Sequence, residues 1–372
     1  MKILITSGIF PPDSGGPATF AESIAQEFIL RSHRVTVVTL SELKKDHSKE
    51  ETRFRLVKIS RNKNKVIRIL HTIWAIRRES AQAELIICTG LHQECGLALL
   101  GRKGLKIAKI VGDPVWERAV NIHKSNYSIQ QFNALDNKLS LAFLLQRKLL
   151  NFCLNQFNLI IVPGSTIETI VKGWNLKPKL LKVPNAIKLK MIHSGKKISH
   201  EYDFLIISRI VKWKKIEVAL RIVSNLNMSV AIIGNGPELE NLRQYADNLG
   251  VNAKFLGYKS QDEISELLSQ SIAFIQMSEY EGMSYSLLEA MNAEKFIVCS
   301  DLLANRDVIT HLWNGFIFDE SNFESLLFRR KDVLGFNLDT KYQTIKWFII
   351  DLLSQKYKKQ INHTDESSDC IR

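Results

Sequence analysis

The sequence predicts an α/β protein built from two doubly wound, Rossmann-like domains, and three observations carry that prediction. Short β-branched runs alternate with longer amphipathic ones, as expected of a mainly parallel sheet covered by helices on both faces. The alternation halts near residue 186 and then starts afresh. At 372 residues the chain is too long for one ordinary core and suits two.

In the first half the strand-like runs are Lys2–Thr6, Arg34–Thr39, Arg53–Ile59, Glu84–Thr89, Lys106–Val111, Asn158–Val162 and Leu180–Val183. Each is short and rich in Ile, Val or Leu, which suits strands buried on both faces. Helix-like stretches separate most of them, including Thr19–Leu30, Leu91–Leu100 and Leu139–Asn155. The second half supplies strand-like Asp203–Ser208, Ser229–Ile233, Ala253–Leu256, Ser271–Met277 and Phe296–Ser300. Between them Lys214–Asn225, Pro237–Asn248, Asp262–Ser269 and Ser286–Ala293 read as helices. The break is placed at Pro184-Asn185-Ala186, inside a stretch (169–200) that holds eight lysines and no acid. Such a stretch is a plausible solvated connection. The expected domains are therefore 1–185 and 186–341, followed by an apolar-rich helix at Tyr342–Tyr357 and a polar tail at 358–372.

Five scattered cysteines without a CxxC pair argue against a zinc knuckle or a disulfide framework and fit a reducing compartment. The apolar stretch Ile3-Leu4-Ile5 is too short for a signal peptide, and no 18-residue apolar run occurs, so a cytosolic protein is expected. Net charge is +13, unevenly placed. Residues 58–78 carry Lys58, Arg61, Lys63, Lys65, Arg68, Arg77 and Arg78 with no Asp or Glu. Val66, Ile67, Ile69, Leu70, Ile73 and Trp74 supply an apolar side. This pattern fits a basic helix lying on an anionic membrane surface, and it equally fits a helix packed on a sheet with its charges solvated. No recognised nucleic-acid motif accompanies the charge, so nucleic acid is not an expected partner.

Two carboxylates stand out. Glu281 follows the run Ile272–Met277, and Glu289 lies about two turns into the helix that comes next. Backbone N–H groups at the helix start between them suit a phosphate. A diphosphate with hydroxyl-rich groups at both ends, a nucleotide sugar, fits that layout. Gly15 and Gly16 follow the first strand and precede a helix, where backbone can approach an anion closely. An ordinary strand–helix turn explains them as well, and neither a Walker A loop nor a full G-x-G-x-x-G is present. Arg209 and Lys214 follow the first strand of the second half and could brace a leaving diphosphate, or be a surface pair. Gly234-Asn235-Gly236-Pro237 closes a strand and opens a helix. Asp113, in Gly112-Asp113-Pro114-Val115-Trp116-Glu117, could contact sugar hydroxyls or an acceptor, or cap the following segment. Nothing resembles a Ser-His-Asp or Cys-His set or a metal-spaced histidine cluster.

Taken in order, these motifs resemble the family 4 glycosyltransferases of the GT-B fold: Gly15-Gly16, Val183-Pro184-Asn185-Ala186, Arg209 with Lys214, Gly234-Asn235-Gly236-Pro237, the Glu281/Glu289 pair and Ser300-Asp301. The phrases around Asp113 and Glu281 look most like the branch that makes bacterial cell-surface polysaccharides. The resemblance implies two domains facing across a cleft, the first binding the acceptor and the second the donor, with the last helix crossing back to the first. It implies sugar transfer with retention, of hexosyltransferase type, from a nucleotide-diphosphate sugar, without cofactor or bound metal. Glu281 would hold donor-sugar hydroxyls and Glu289 the ribose. Arg209 and Lys214 would neutralise the diphosphate, and amides of Gly282, Met283, Ser284 and Gly16 would cradle it. A lipid-linked saccharide acceptor at the inner membrane face is the expected partner. Two residues depart from the family's pattern, Gly112 where many relatives carry His and Lys215 where Gly is common. They keep open a catalytically inactive nucleotide-sugar-binding subunit, and a sugar-nucleotide epimerase of the same architecture is the nearest enzymatic rival.

Overall fold

A computed structural model of the chain describes residues 1–13, 15–42, 54–122, 125, 127–135, 139–187, 201–311 and 313–318. Residues 188–200 of the lysine-rich stretch, the expected helix Tyr342–Tyr357 and the tail lie outside the described residues. The chain divides into two compact units. One comprises Met1–Ile187 with Tyr280–Tyr285 and Leu302–Asp307. The other holds the described residues of Lys188–Glu279, Ser286–Asp301 and Val308–Arg372.

The first unit contains β1 (Lys2–Ser7), α1 (Gly16–Leu30), β2 (Arg34–Ser41), β3 (Arg55–Ser60), α2 (Lys65–Ser80), β4 (Leu85–Cys88), α3 (His92–Ala98) and β5 (Leu105–Lys109). It continues through α4 (Pro114–Asn121), α5 (Ile129–Ala134), α6 (Leu141–Leu154), β6 (Leu159–Val162), α7 (Ser165–Lys172) and β7 (Lys179–Lys182). Its seven strands run parallel in the order β3-β2-β1-β4-β5-β6-β7. Strand β1 is central, with Ile3 paired to Val35 and Leu85 and Ile5 to Val37 and Ile87. Ala18, Ala21 and Ala25 recur on one face of α1 and are buried, and these small side chains bring the helix close to the sheet.

The second unit contains β8 (Tyr202–Ile207), α8 (Ile216–Asn225), β9 (Ser229–Ile233), α9 (Leu239–Leu249), β10 (Asn252–Gly257), α10 (Gln261–Ser269), β11 (Ser271–Gln276), α11 (Tyr285–Asn292) and β12 (Phe296–Ser300). The short α12 (Leu303–Arg306), counted with the first unit, and β13 (Phe316–Phe318) complete the described elements. The second sheet is parallel in the order β10-β9-β8-β11-β12-β13. Helix α8 buries Ile216, Ala219, Leu220 and Val223 against Phe204, Ile206, Val230 and Ile232, the apolar burial that drives this layer together.

Both sheets reverse direction of growth beside their first strand, between β1 and β4 and between β8 and β11. In open parallel sheets, ligands bind beyond the strand carboxyl ends at such a reversal. Gly15 and Gly16 lie just after β1, and Arg209 just after β8, so both fall at these points.

Helices α4, α5 and α7 and strand β13 are not expected from the sequence. Each is short, and α4 and α7 are only 8 residues long, too few turns for a periodic pattern to stand out. Strand β5 stops at Lys109 rather than Val111; its last sheet bond is from Ile110 N–H to Ile161 C=O, at 2.9 Å. The chain then turns because Asp113 starts a helix.

Candidate functional site

In the second unit, Arg209 is exposed and its guanidinium carbon lies 5.5 Å from the Trp213 ring centroid. A single turn of 3-10 helix, Lys212–Lys214, carries Lys214 in a partly buried position. Ser208, Lys214, Gln276, Met277 and Ser278 line a recess beyond β8 and β11. This recess lies at the sheet's reversal, and Lys214 is the charged residue in its lining. Lys215 follows with φ 47°, in the left-handed region. The preference for glycine at this position thus has a backbone cause, and this chain places a lysine there instead.

Gly234 and Gly236 sit where the loop after β9 passes against the turn after β8. A Cβ on either would overlap a backbone carbonyl, that of Ser208 or of Ile210. Close backbone approach accounts for both glycines. Glu289 lies in the second turn of α11, half-buried, and its carboxylate accepts a hydrogen bond of 2.9 Å from the Gln261 amide.

The loop 280–285 belongs with the first unit. Glu281 is buried, as are Gly282, Met283 and Ser284. Gly282 passes so close to the Val111 carbonyl that a Cβ would sit 2.5 Å from its oxygen. A Cβ on Gly164 would likewise sit 2.5 Å from the Gly282 carbonyl oxygen. Tyr280 donates its hydroxyl to the Val111 carbonyl at 3.0 Å and stands edge-on to Trp116. Burial, with the carboxylates of Glu117, Asp113 and Glu281 nearby, pushes the Tyr280 phenol well above its usual range, so it stays a neutral donor. Asn185 donates its side-chain amide to the Met283 carbonyl at 3.0 Å. Val111, Gly164 and Asn185 therefore hold this loop from three sides of the chain.

Gly15 adopts φ 141° at the N-cap of α1 and makes no side-chain cap bond, and Gly16 opens the helix. A Cβ on Gly16 would lie 3.1 Å from the Tyr285 ring.

Asp113 is fully buried and its oxygens are engaged within the fold. One accepts hydrogen bonds from Val115 N–H at 3.0 Å and Trp116 N–H at 3.3 Å, capping α4. The other accepts from the Asn133 amide at 2.9 Å and pairs with the Arg147 guanidinium. Of the two readings of Asp113, the cap is the one these contacts describe, and its carboxylate is buried.

Sequence reasoning misses Lys109, Tyr280 and Arg147. Lys109 is a cation set between the apolar Ala108 and Ile110 at the end of a strand, which is the signal that could have found it. Tyr280 and Arg147 have partners distant in sequence and leave no local sign. Among the described residues no three His, Cys, Asp or Glu side chains cluster so as to hold a metal ion.

Solved structures place the fold in a class, GT-B. The chain is similar to the Anabaena protein HepE, crystallised with UDP and glucose, at 16% identity and a TM-score of 0.69, covering 99% of this chain and 100% of that one. It is also similar to WaaB, a lipopolysaccharide outer core galactosyltransferase, at 16% identity and a TM-score of 0.60 with the same coverage. At these identities the likeness concerns the fold. Residues 189–334 match the family described as "Glycosyl transferases group 1", so the chain carries a glycosyltransferase group 1 domain. Among curated relatives, the N-acetyl-alpha-D-glucosaminyl L-malate synthase of Bacillus anthracis is 24% identical over 140 residues, 37% of this chain and 36% of that protein. The UDP-Gal:alpha-D-GlcNAc-diphosphoundecaprenol alpha-1,3-galactosyltransferase of Escherichia coli is 23% identical over 144 residues, 34% of this chain and 37% of that protein. These matches thus span little more than a third of the curated relatives' length.

Proposed function

We propose that this chain is a retaining glycosyltransferase that moves a sugar from a nucleotide-diphosphate sugar to a saccharide acceptor in cell-surface polysaccharide synthesis. The observation that carries the reading is Lys214 lining a recess at the reversal of the second sheet, with Arg209 exposed just beyond the same strand, within the segment matching the glycosyltransferase family. Arg209 and Lys214 meet the charge that grows on the diphosphate as it leaves, the moment at which fixed cations contribute most. Glu289 takes the ribose hydroxyls, Glu281 the donor sugar, and the amides of Gly16, Gly282, Met283 and Ser284 the diphosphate. In this reading those cations and amides act without a resident metal.

The acceptor is proposed to be lipid-linked, met at an anionic membrane surface. Two helices of the first unit support this. Val66, Ile67, Leu70 and Trp74 are exposed along α2, beside exposed Lys63 and Lys65. Leu141, Leu145, Leu149 and Phe152 form a second exposed apolar stripe on α6, which carries no acid. No helix among the described residues is long and apolar enough to cross a membrane.

The test is radiolabelled sugar transfer from UDP-, GDP- and ADP-sugars to a lipid extract. Arg209→Ala and Glu281→Gln should each abolish transfer with unchanged thermal unfolding. Wild-type rates in both would overturn the assigned roles.

A further inference from the structure

Lys109, the last residue of β5, is 2% exposed, a rare environment for an ammonium group. Its nitrogen lies over the Phe20 ring of α1, 3.2 Å from the centroid, and donates to the Asn185 side-chain oxygen at 2.7 Å. Among the described residues no carboxylate pairs with it. Burial alone brings its pKa down to about 7. A buried cation without a counter-ion costs stability, so the fold gains something else from it.

Asn185 is the link. With its oxygen held by Lys109, its amide nitrogen can only donate, and it does so to the Met283 carbonyl at 3.0 Å. Its backbone N–H also approaches the Met283 sulfur at 3.2 Å. Because the peptide is planar and trans, a Met283 carbonyl drawn toward Asn185 turns the Ser284 N–H to the opposite side. Without the lysine the Asn185 carboxamide could rotate by half a turn and present its oxygen to the Met283 carbonyl, breaking that link.

We propose that Lys109 is a positioning residue: through Asn185 it fixes the orientation of the Met283–Ser284 peptide and so presets the backbone amides of the 280–285 loop. Its consequence for donor binding rests on the function proposed above, but the placement of the loop does not.

Amide hydrogen exchange in the unliganded full chain tests the placement, and UDP binding by calorimetry tests the consequence. In Lys109→Met, exchange across 280–286 should rise about fivefold, the loss expected of one net hydrogen bond, with no fall in melting temperature. Asn185→Ala should do the same, and the double variant should exchange no faster than either single one. Lys109→Arg keeps a cationic donor that can stack on Phe20 and should return exchange toward wild type. UDP affinity should fall in parallel with exchange. Unchanged exchange in Asn185→Ala, additive effects in the double variant, or equal exchange in the Arg and Met variants would overturn the proposal. Should Lys109→Met fail to fold, Asn185→Ala and Lys109→Arg still decide it. If exchange behaves as expected while wild type binds no UDP, GDP or ADP, the positioning role stands and the proposed function falls.

Discussion

The Glu117 carboxylate occupies the space that a side chain on residue 112 would need. A Cβ on Gly112 would overlap the Glu117 carboxylate and come within 3.0 Å of the Tyr280 hydroxyl. A larger side chain at 112 therefore requires the Glu117 carboxylate to move aside.

That relationship predicts a compensated pair. Gly112→Ala should destabilise by about 1–3 kcal/mol through overpacking. Shortening the intruding side chain with Glu117→Ala should recover most of that loss, a non-additivity that urea unfolding of the two single and one double variants would reveal. Purely additive losses would show that Glu117 is not the obstacle.

Asp113→Ala should be among the costliest single changes. It strips the cap from α4 and leaves Arg147, whose side chain is 14% exposed, without its carboxylate partner among the described residues. Breaking a buried pair from one side costs about 3–5 kcal/mol. Asp113→Asn keeps an acceptor for the cap and should cost less. Thermal unfolding of both variants checks the order, and a wild-type melting curve for Asp113→Ala would contradict it.

At position 215 a gain is expected. Lys215 holds φ 47° and its ammonium is 4.0 Å from Glu279, a half-exposed pair of little energetic weight. Lys215→Gly relieves a left-handed strain of about 1 kcal/mol, partly offset by the freer unfolded chain. A lower denaturation midpoint would refute this.

Lys109 gives the stability a pH dependence of a definite sign. Its pKa is about 7 in the fold, against 10.5 for an unperturbed lysine side chain, the value it takes once unfolded. Between those values the unfolded chain binds the extra proton, so this residue's contribution to stability rises with pH across that window. Below pH 7 both states are protonated and the full penalty applies. The difference between wild type and Lys109→Met, by urea unfolding at pH 7 and pH 9.5, should therefore shrink by about 3 kcal/mol. A constant difference would mean that the ammonium is not desolvated.

Much of the fold is legible because parallel strands buried on both faces leave continuous apolar runs. Ser229–Ile233 and Phe296–Ser300 have the same bounds as apolar runs and as strands. The three-residue strand Phe316–Phe318 escapes notice because so short a run carries no period. Strand-end positions are legible where glycine or charge marks them, as at Gly15-Gly16 and Arg209. At Asp113 the cap is legible in the sequence but the partners Arg147 and Asn133 are not, since they lie 34 and 20 positions away. The lysine under the 280–285 loop acts through a partner 76 residues on, which no local pattern encodes.

The membership of residues 280–285 in the first unit has a consequence for dissecting this chain. The polypeptide leaves its second unit after Glu279 and re-enters it at Ser286, and again leaves after Asp301 to return at Val308. A single scission near residue 187 therefore cannot release two self-sufficient halves. The amino-terminal fragment would lack the Tyr280 hydroxyl on Val111, the carbonyl that Asn185 holds, and the Asp307 carboxylate on Ser165. Recombinant production of either half alone should yield an incomplete scaffold, whereas both fragments expressed together can reassemble it.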